Sequence, residues 1–158
     1  QNITSIKLWD GFVDEINPKR GIAKAHKQIV KWAQDHSLPS VTIAEDDIKF
    51  TAPRAFEFFL SNEPKDYDLY LGGITYGNLA ADNSVTDFSG LTLYKINNHF
   101  YETFLSLPEG KDIDRTLANK GRYIVCNPIV AIQHNGYSDN KRRYENYDCY
   151  FHSRKLFS

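Results

Sequence analysis

Between Val41 and Asp47 the chain changes character in one step: the apolar run Val41-Thr42-Ile43-Ala44 is followed directly by Glu45-Asp46-Asp47. A short apolar run of this kind reads as a buried strand. Ahead of it, over residues 21–36, Ile22, Ala25, Ile29 and Ala33 recur at helical spacing, Val30 and Trp32 widen the stripe, and Leu38-Pro39 stops the helix. A helix leading into a buried strand places the chain in the α/β class. In such folds ligands bind at the carboxyl ends of strands, which is where the three acids fall. Adjacent carboxylates repel unless a cation neutralises them. Their oxygens suit Mg²⁺ or Mn²⁺, ions that also take oxygens from a substrate phosphate. In an extended segment Glu45 and Asp47 point one way and Asp46 the other. Glu45 and Asp47 are therefore the candidate metal pair, and Asp46 is left to hydrogen bonds or a second ligand. The alternative is an acidic turn in water; the apolar strand ahead and the return to Ile48 and Phe50 favour a site.

The rest of the chain continues the alternation. Residues 3–9 alternate weakly, as a half-buried strand would, and Ile48-Lys49-Phe50 is a second apolar piece. Thr51 is positioned to cap a helix with Pro53 in its first turn and Phe56, Phe59 and Leu60 on it. Residues 67–71 form a strand closed by Gly72-Gly73, residues 76–90 are loop-like, and residues 91–96 return to strand character. Asn97 or Asn98 caps a helix through Leu105 with Phe100 and Phe104 on one face. Asp112 or Asp114 opens a short helix that Gly121 ends, and strands at 123–126 and 129–133 are broken by Asn127-Pro128.

Charge and composition close off other classes. With 19 basic and 20 acidic residues the formal charge is −1, which leaves no broad basic surface for nucleic acid. No apolar run approaches the ~20 residues of a membrane-spanning helix, and no signal-peptide pattern opens the chain. Cys126 and Cys149 fit no zinc spacing and read as unpaired thiols, the pattern of a cytoplasmic protein. The 158 residues contain no Met, which points to a processed or trimmed form of one domain. Residues 1–140 make up that domain. The segment after Asn140 has five cations against two carboxylates, a net +3, interleaved with Tyr144, Tyr147, Tyr150, Phe151 and Phe157. It reads as a solvated, partly packed tail of the same domain, or as a basic flap that closes over a diphosphate.

The order Gly21, His26, helix, strand, Glu45-Asp46-Asp47-Ile48 and Phe50 resembles the family 25 glycosyltransferases. These include bacterial lipopolysaccharide galactosyltransferases and collagen galactosyltransferases. Asp112-Ile113-Asp114 is similar to the family's apolar-aspartate turn. Residues 127–133, followed by Gly136-Tyr137-Ser138-Asp139, are similar to its closing proline, apolar, glutamine and serine-aspartate pattern. Together these stretches cover about residues 21–140. The family's serine before the histidine is Ala25 here.

The resemblance implies a GT-A-like fold with a mixed sheet flanked by helices, a UDP-hexose donor (UDP-galactose foremost), a saccharide acceptor in surface polysaccharide assembly, and Mn²⁺ or Mg²⁺. It implies that Glu45 and Asp47 hold the metal against the donor diphosphate, with Asp139 and His134 as further ligands. Asp46, His26, Gln133 and Ser138 would bind the donor. Transfer would be inverting, with Asp114, or else Asp112, taking the acceptor proton. Each has a plainer role available: Asp at a helix start is a routine cap, a helix histidine packs against the backbone, a loop histidine is exposed, and Ser138-Asp139 makes a turn. Family members open with a strand and helix that cradle the uridine. Twenty residues precede Gly21 here and residues 3–9 resemble the family's second strand, so the expectation is a form lacking that first unit. The competing functions are a non-catalytic carbohydrate- or protein-binding domain and a metal-dependent phosphoesterase.

Overall fold

The computed structural model describes residues 6–138 and 141–158. Helix α1 spans Pro18–Asp35. Proline suits its first turn, where the missing N–H has no intrahelical acceptor in any case. The helix buries Gly21, Ala23, His26, Val30 and Ala33, and ends as Ser37 turns to a φ of 52°, ahead of the expected stop at Leu38-Pro39. Then come β1 (Ser40–Ala44), β2 (Ile48–Phe50), α2 (Ala55–Ser61), β3 (Leu69–Leu71), β4 (Ser84–Val85) and β5 (Leu93–Asn97). A 3₁₀ turn at Asn98–Phe100 leads into α3 (Tyr101–Leu105), followed by α4 (Ile113–Thr116), β6 (Tyr123–Val125), β7 (Ala131–Gln133), β8 (Gly136–Ser138) and β9 (Arg143–Glu145). A second 3₁₀ turn, Tyr147–Phe151, follows.

The chain is mixed α/β. Among the described residues the main sheet has the order β1-β5-β3-β6-β4, with β3 and β6 parallel and the other neighbours antiparallel. Side chains alternate across a strand, and this alternation sorts the core into two. Leu69, Leu71, Tyr94, Ile96, Tyr123 and Val125 pack on one face with Ala23 and Val30 of α1, Phe104 of α3 and Ile113 of α4. Tyr70, Leu93 and Ile124 turn to the other face, against Ala55 and Phe59 of α2. There Phe59 lies flat on Tyr70 with ring centroids 4.4 Å apart. A sheet covered on both faces carries continuous apolar strands, which is why β3 and β6 are buried at every position.

Gly72 and Gly73 let a second pair of strands cross the end of this sheet. The Val130 and Ala131 N–H groups both donate to the Gly72 carbonyl, at 2.9 and 3.2 Å. A Cβ at Gly73 would lie 2.2 Å from the Ala131 carbonyl oxygen, so no larger residue fits there. β7 then pairs antiparallel with β2, placing Gln133 opposite Ile48.

Several expectations need correction, first the buried strand at 41–44: β1 is an edge strand of the main sheet, with only Ile43 buried and Ala44 exposed, because among the described residues it has a partner on one side alone. Ile6 to Trp9 form no strand: Ile6 and Leu8 are 74% and 89% exposed, while Trp9 packs edge-on against Trp32 and the Lys7 ammonium lies over both rings. Alternation without a partner strand does not make a ladder; residues 3–5 lie outside the described residues. Thr51 does not cap α2. Its N–H and hydroxyl donate to the carbonyls of Val130 and Ile129, and the helix starts after Arg54, at a φ of 67°. The loop-like stretch 76–90 contains β4 and a bridge between Tyr76 and Ser89. α4 ends before Leu117, and Asn119 with a φ of 58°, not Gly121, makes the left-handed turn after it. The tail is packed as well as charged: Tyr147 and Phe151 are buried in the main core, and the Arg142 guanidinium donates to the Glu15 carbonyl. Both cysteines are free, Cys126 buried and Cys149 exposed.

Candidate functional site

The three acids lie where β1 of the main sheet gives way to β2 of the second. The Glu45 N–H still donates to the Thr92 carbonyl at 2.9 Å, extending the β1–β5 ladder by one residue. The chain then turns, and the Ile48 N–H comes back to the Glu45 carbonyl at 3.4 Å. This corrects the extended reading of residues 45–47, whose side-chain directions follow from a turn and not from strand alternation. The turn is needed because the strand must leave one sheet and join another.

Within this turn Glu45 points toward α1, its Oε1 3.4 Å from His26 Nε2. Asp46 is exposed. Asp47 is half-buried and accepts from the Gln133 side-chain amide at 2.8 Å through Oδ2, while its Oδ1 is buried and has no hydrogen-bond partner. Burial, and next the Glu45 carboxylate, push the Asp47 carboxyl above the usual range, against the pull of Gln133. A buried oxygen without a donor, beside a second carboxylate, is electrostatically unfinished. A cation would complete it.

Asp114 lies in the first turn of α4, where its Oδ2 accepts from the Gly90 N–H at 2.8 Å and its Oδ1 from the Arg115 N–H at 2.7 Å. Burial raises its carboxyl above the ordinary range, the two N–H donors oppose this, and the charges of Asp112 and Glu45 add to the rise. Asp114 is thus within electrostatic reach of the acidic turn. Asp112 faces elsewhere, ion-paired to Lys19 at 2.7 Å, and no side-chain cap bond comes from it.

His26 is buried, and its Nδ1 lies 2.8 Å from the Tyr94 hydroxyl, so its partners are side chains and not the backbone group expected of a packed helix histidine. His134 is exposed; only its backbone N–H joins the site, donating to the Asp47 carbonyl at 2.9 Å. Ser138 ends β8, where its hydroxyl accepts from the Lys141 N–H and adjoins the Tyr147 hydroxyl. Burial pushes the Tyr147 phenol up; Ser138 and Lys141 oppose this, and the Asp47 charge adds to it. Asp139 lies outside the described residues.

The fold therefore joins Gln133 to Asp47 and His26 to Glu45 at one turn, leaves Asp114 and, through Tyr147, Ser138 linked to that turn by charge alone, and leaves Asp46, Asp112 and the His134 side chain at the margin. Among the described residues no set of three His, Cys, Asp or Glu side chains is gathered to hold an ion alone. The pair present suits an ion that takes its remaining oxygens from a phosphate-bearing ligand and water, the usual habit of Mg²⁺.

Tyr94 and Tyr147 are the participants that sequence reading missed. Tyr94 stands opposite Ile43 in the β1–β5 register, a pairing that no local pattern announces. Tyr147 had one signal, its place among the interleaved aromatics of the tail. Compared with known proteins, the chain matches no family model and no curated sequence. No helix among the described residues is long and apolar enough to cross a membrane.

Proposed function

We propose that this chain is a GT-A-like glycosyltransferase domain moving a hexose from a UDP-sugar to a saccharide acceptor. The observation that carries the reading is the Asp47 carboxylate, with one buried oxygen unpartnered, next to Glu45 at the carboxyl end of β1. That pair would hold Mn²⁺ or Mg²⁺, and the bound ion would neutralise the charge gathering on the diphosphate leaving group. Gln133 holds Asp47 in place from the neighbouring strand.

Asp114 is the base. Two backbone N–H groups fix its orientation, and burial raises its affinity for a proton. As the acceptor hydroxyl oxygen bonds to the sugar's anomeric carbon, Asp114 takes its proton. The bond from that carbon to the diphosphate oxygen breaks with its electron pair leaving on UDP, and the configuration inverts.

Calorimetry with UDP and Mn²⁺ is the direct test. Heat of binding that disappears in Asp47→Ala is the expected outcome. No heat with the unsubstituted protein overturns the enzyme reading in favour of a binding domain. Release of phosphate from simple esters without sugar transfer favours a phosphoesterase.

A further inference from the structure

Glu45 does not stand free beside Asp47; it is backed by two buried side chains from different elements. His26 comes from the inner face of α1 and is 6% exposed, and Tyr94 is the second residue of β5 and is wholly buried. The imidazole bridges them, with Nδ1 2.8 Å from the Tyr94 hydroxyl and Nε2 3.4 Å from Glu45 Oε1, and the His26 and Tyr94 rings stack at 5.7 Å.

The donor and acceptor inventory orders this chain of contacts. An ionised carboxylate only accepts, so the imidazole nitrogen facing it is best satisfied as Nε2–H. Nδ1 is then an acceptor, and the phenol, which burial keeps protonated, is the donor that meets it. The opposite tautomer would set a lone pair against the carboxylate. It would also give the phenol oxygen a proton in place of the lone pair that its own proton needs. The Glu45 carboxylate therefore selects Nε2–H, and the Tyr94 hydroxyl completes the arrangement by donating to Nδ1.

We propose that His26 and Tyr94 are positioning residues for Glu45: Tyr94 anchors the imidazole through Nδ1, and His26 holds the carboxylate where it can join Asp47 around a cation. The inference rests on Glu45 being a metal-holding carboxylate. It moves His26 from direct contact with the donor to a place behind the ligand. Outer partners of this kind set both the orientation and the basicity of a ligating group.

Two readouts test it. Nitrogen-15 NMR of the histidine rings should find His26 as the Nε2–H tautomer and should find its Nδ1 resonance shifted toward that of a free lone pair in Tyr94→Phe, which removes one oxygen and keeps the ring. Mn²⁺ affinity in the presence of UDP, followed by the free-ion EPR signal, should weaken about 10- to 100-fold in His26→Leu and about 10-fold in Tyr94→Phe. His26→Gln, whose amide still offers Glu45 a donor, should recover part of the loss. Thermal melts of each variant establish that it is folded. An Nδ1–H tautomer at His26, or an Nδ1 resonance indifferent to Tyr94→Phe, overturns the proposal. So does wild-type Mn²⁺ affinity in both Tyr94→Phe and His26→Leu where Glu45→Gln has lost it. If the unsubstituted protein takes up no Mn²⁺ with UDP, the glycosyltransferase reading fails and the positioning role fails with it.

Discussion

At Asp47 and Asp114 the fold holds carboxyl groups in surroundings that oppose their ionisation. Both have folded-state affinities for protons above those of the unfolded chain. Their contribution to stability is therefore present in full below the unfolded carboxylate range, near pH 4, and is lost as pH rises through the raised values. At neutral pH both charges weigh against folding. Asp47→Asn keeps an acceptor for Gln133 and removes the charge, so it should raise the melting temperature at pH 7 by roughly 2–4 °C, the shift that about 1 kcal/mol gives in a chain of this size. The gain should shrink as pH falls toward 4, and the same variant should lose metal-dependent UDP binding. A melting temperature unchanged at both pH values would show that the carboxylate is not strained. The Glu145 carboxyl behaves oppositely, since Arg143 and Lys141 hold it below the usual range; its contribution is present above the unfolded carboxylate range and lost as pH falls through its own lowered value. Residue identity was the legible layer here: the acids, Gln133 and His26 stand out in the sequence, but the orphaned oxygen of Asp47 depends on burial by parts of the chain far away.

Among the elements, two glycines do different jobs that their spacing does not distinguish. A Cβ at Gly73 would meet the Ala131 carbonyl oxygen at 2.2 Å, in backbone that is held by its bonds to the Gly72 carbonyl and by the β2–β7 pairing. Gly73→Ala should cost about 1–3 kcal/mol of unfolding free energy in urea melts. A Cβ at Gly21 would come equally close to the Phe12 carbonyl oxygen, but Phe12 belongs to a segment without regular structure whose neighbour Val13 is 91% exposed. Gly21→Ala should therefore leave the melting temperature nearly unchanged and speed proteolysis within residues 8–16. Equal destabilisation by both would show that the 6–16 segment is as firmly held as the sheet. Element type was readable wherever apolar periodicity ran long, as in α1, or where a strand was buried on both faces, as in β3 and β6. Boundaries were less so. Thr51 has the chemistry of a cap yet spends its hydroxyl on the Ile129 carbonyl, because the β2–β7 pairing brings that acceptor closer than any helix N–H.

For the molecule as a whole, the two thiols report on packing. Cys126 is buried among the residues around α2, and burial pushes its thiol up, while Cys149 is exposed on the tail. A thiol reagent at pH 8 should modify one group rapidly and the second only on denaturation; two fast reactions would mean that the layer beneath α2 opens readily. Phe59→Ala, which empties that layer opposite Tyr70, should cost about 3–5 kcal/mol and make Cys126 reactive. Composition, periodicity and the break at Glu45 were enough to determine an α/β chain with a strand ending in acids, because apolar runs and charge are local properties of the sequence; that this strand lies at the sheet edge with only Ile43 buried was not legible. Which partner each acid meets, and what stands behind it, was decided by the tertiary structure alone. The β1–β5 register sets Tyr94 opposite Ile43, the packing of α1 sets His26 beside Tyr94, and the crossing at Gly73 brings Gln133 to Asp47. Each of these contacts joins residues between 50 and 90 positions apart or across separate elements, and no spacing rule along the chain encodes a distance that only the assembled sheet creates.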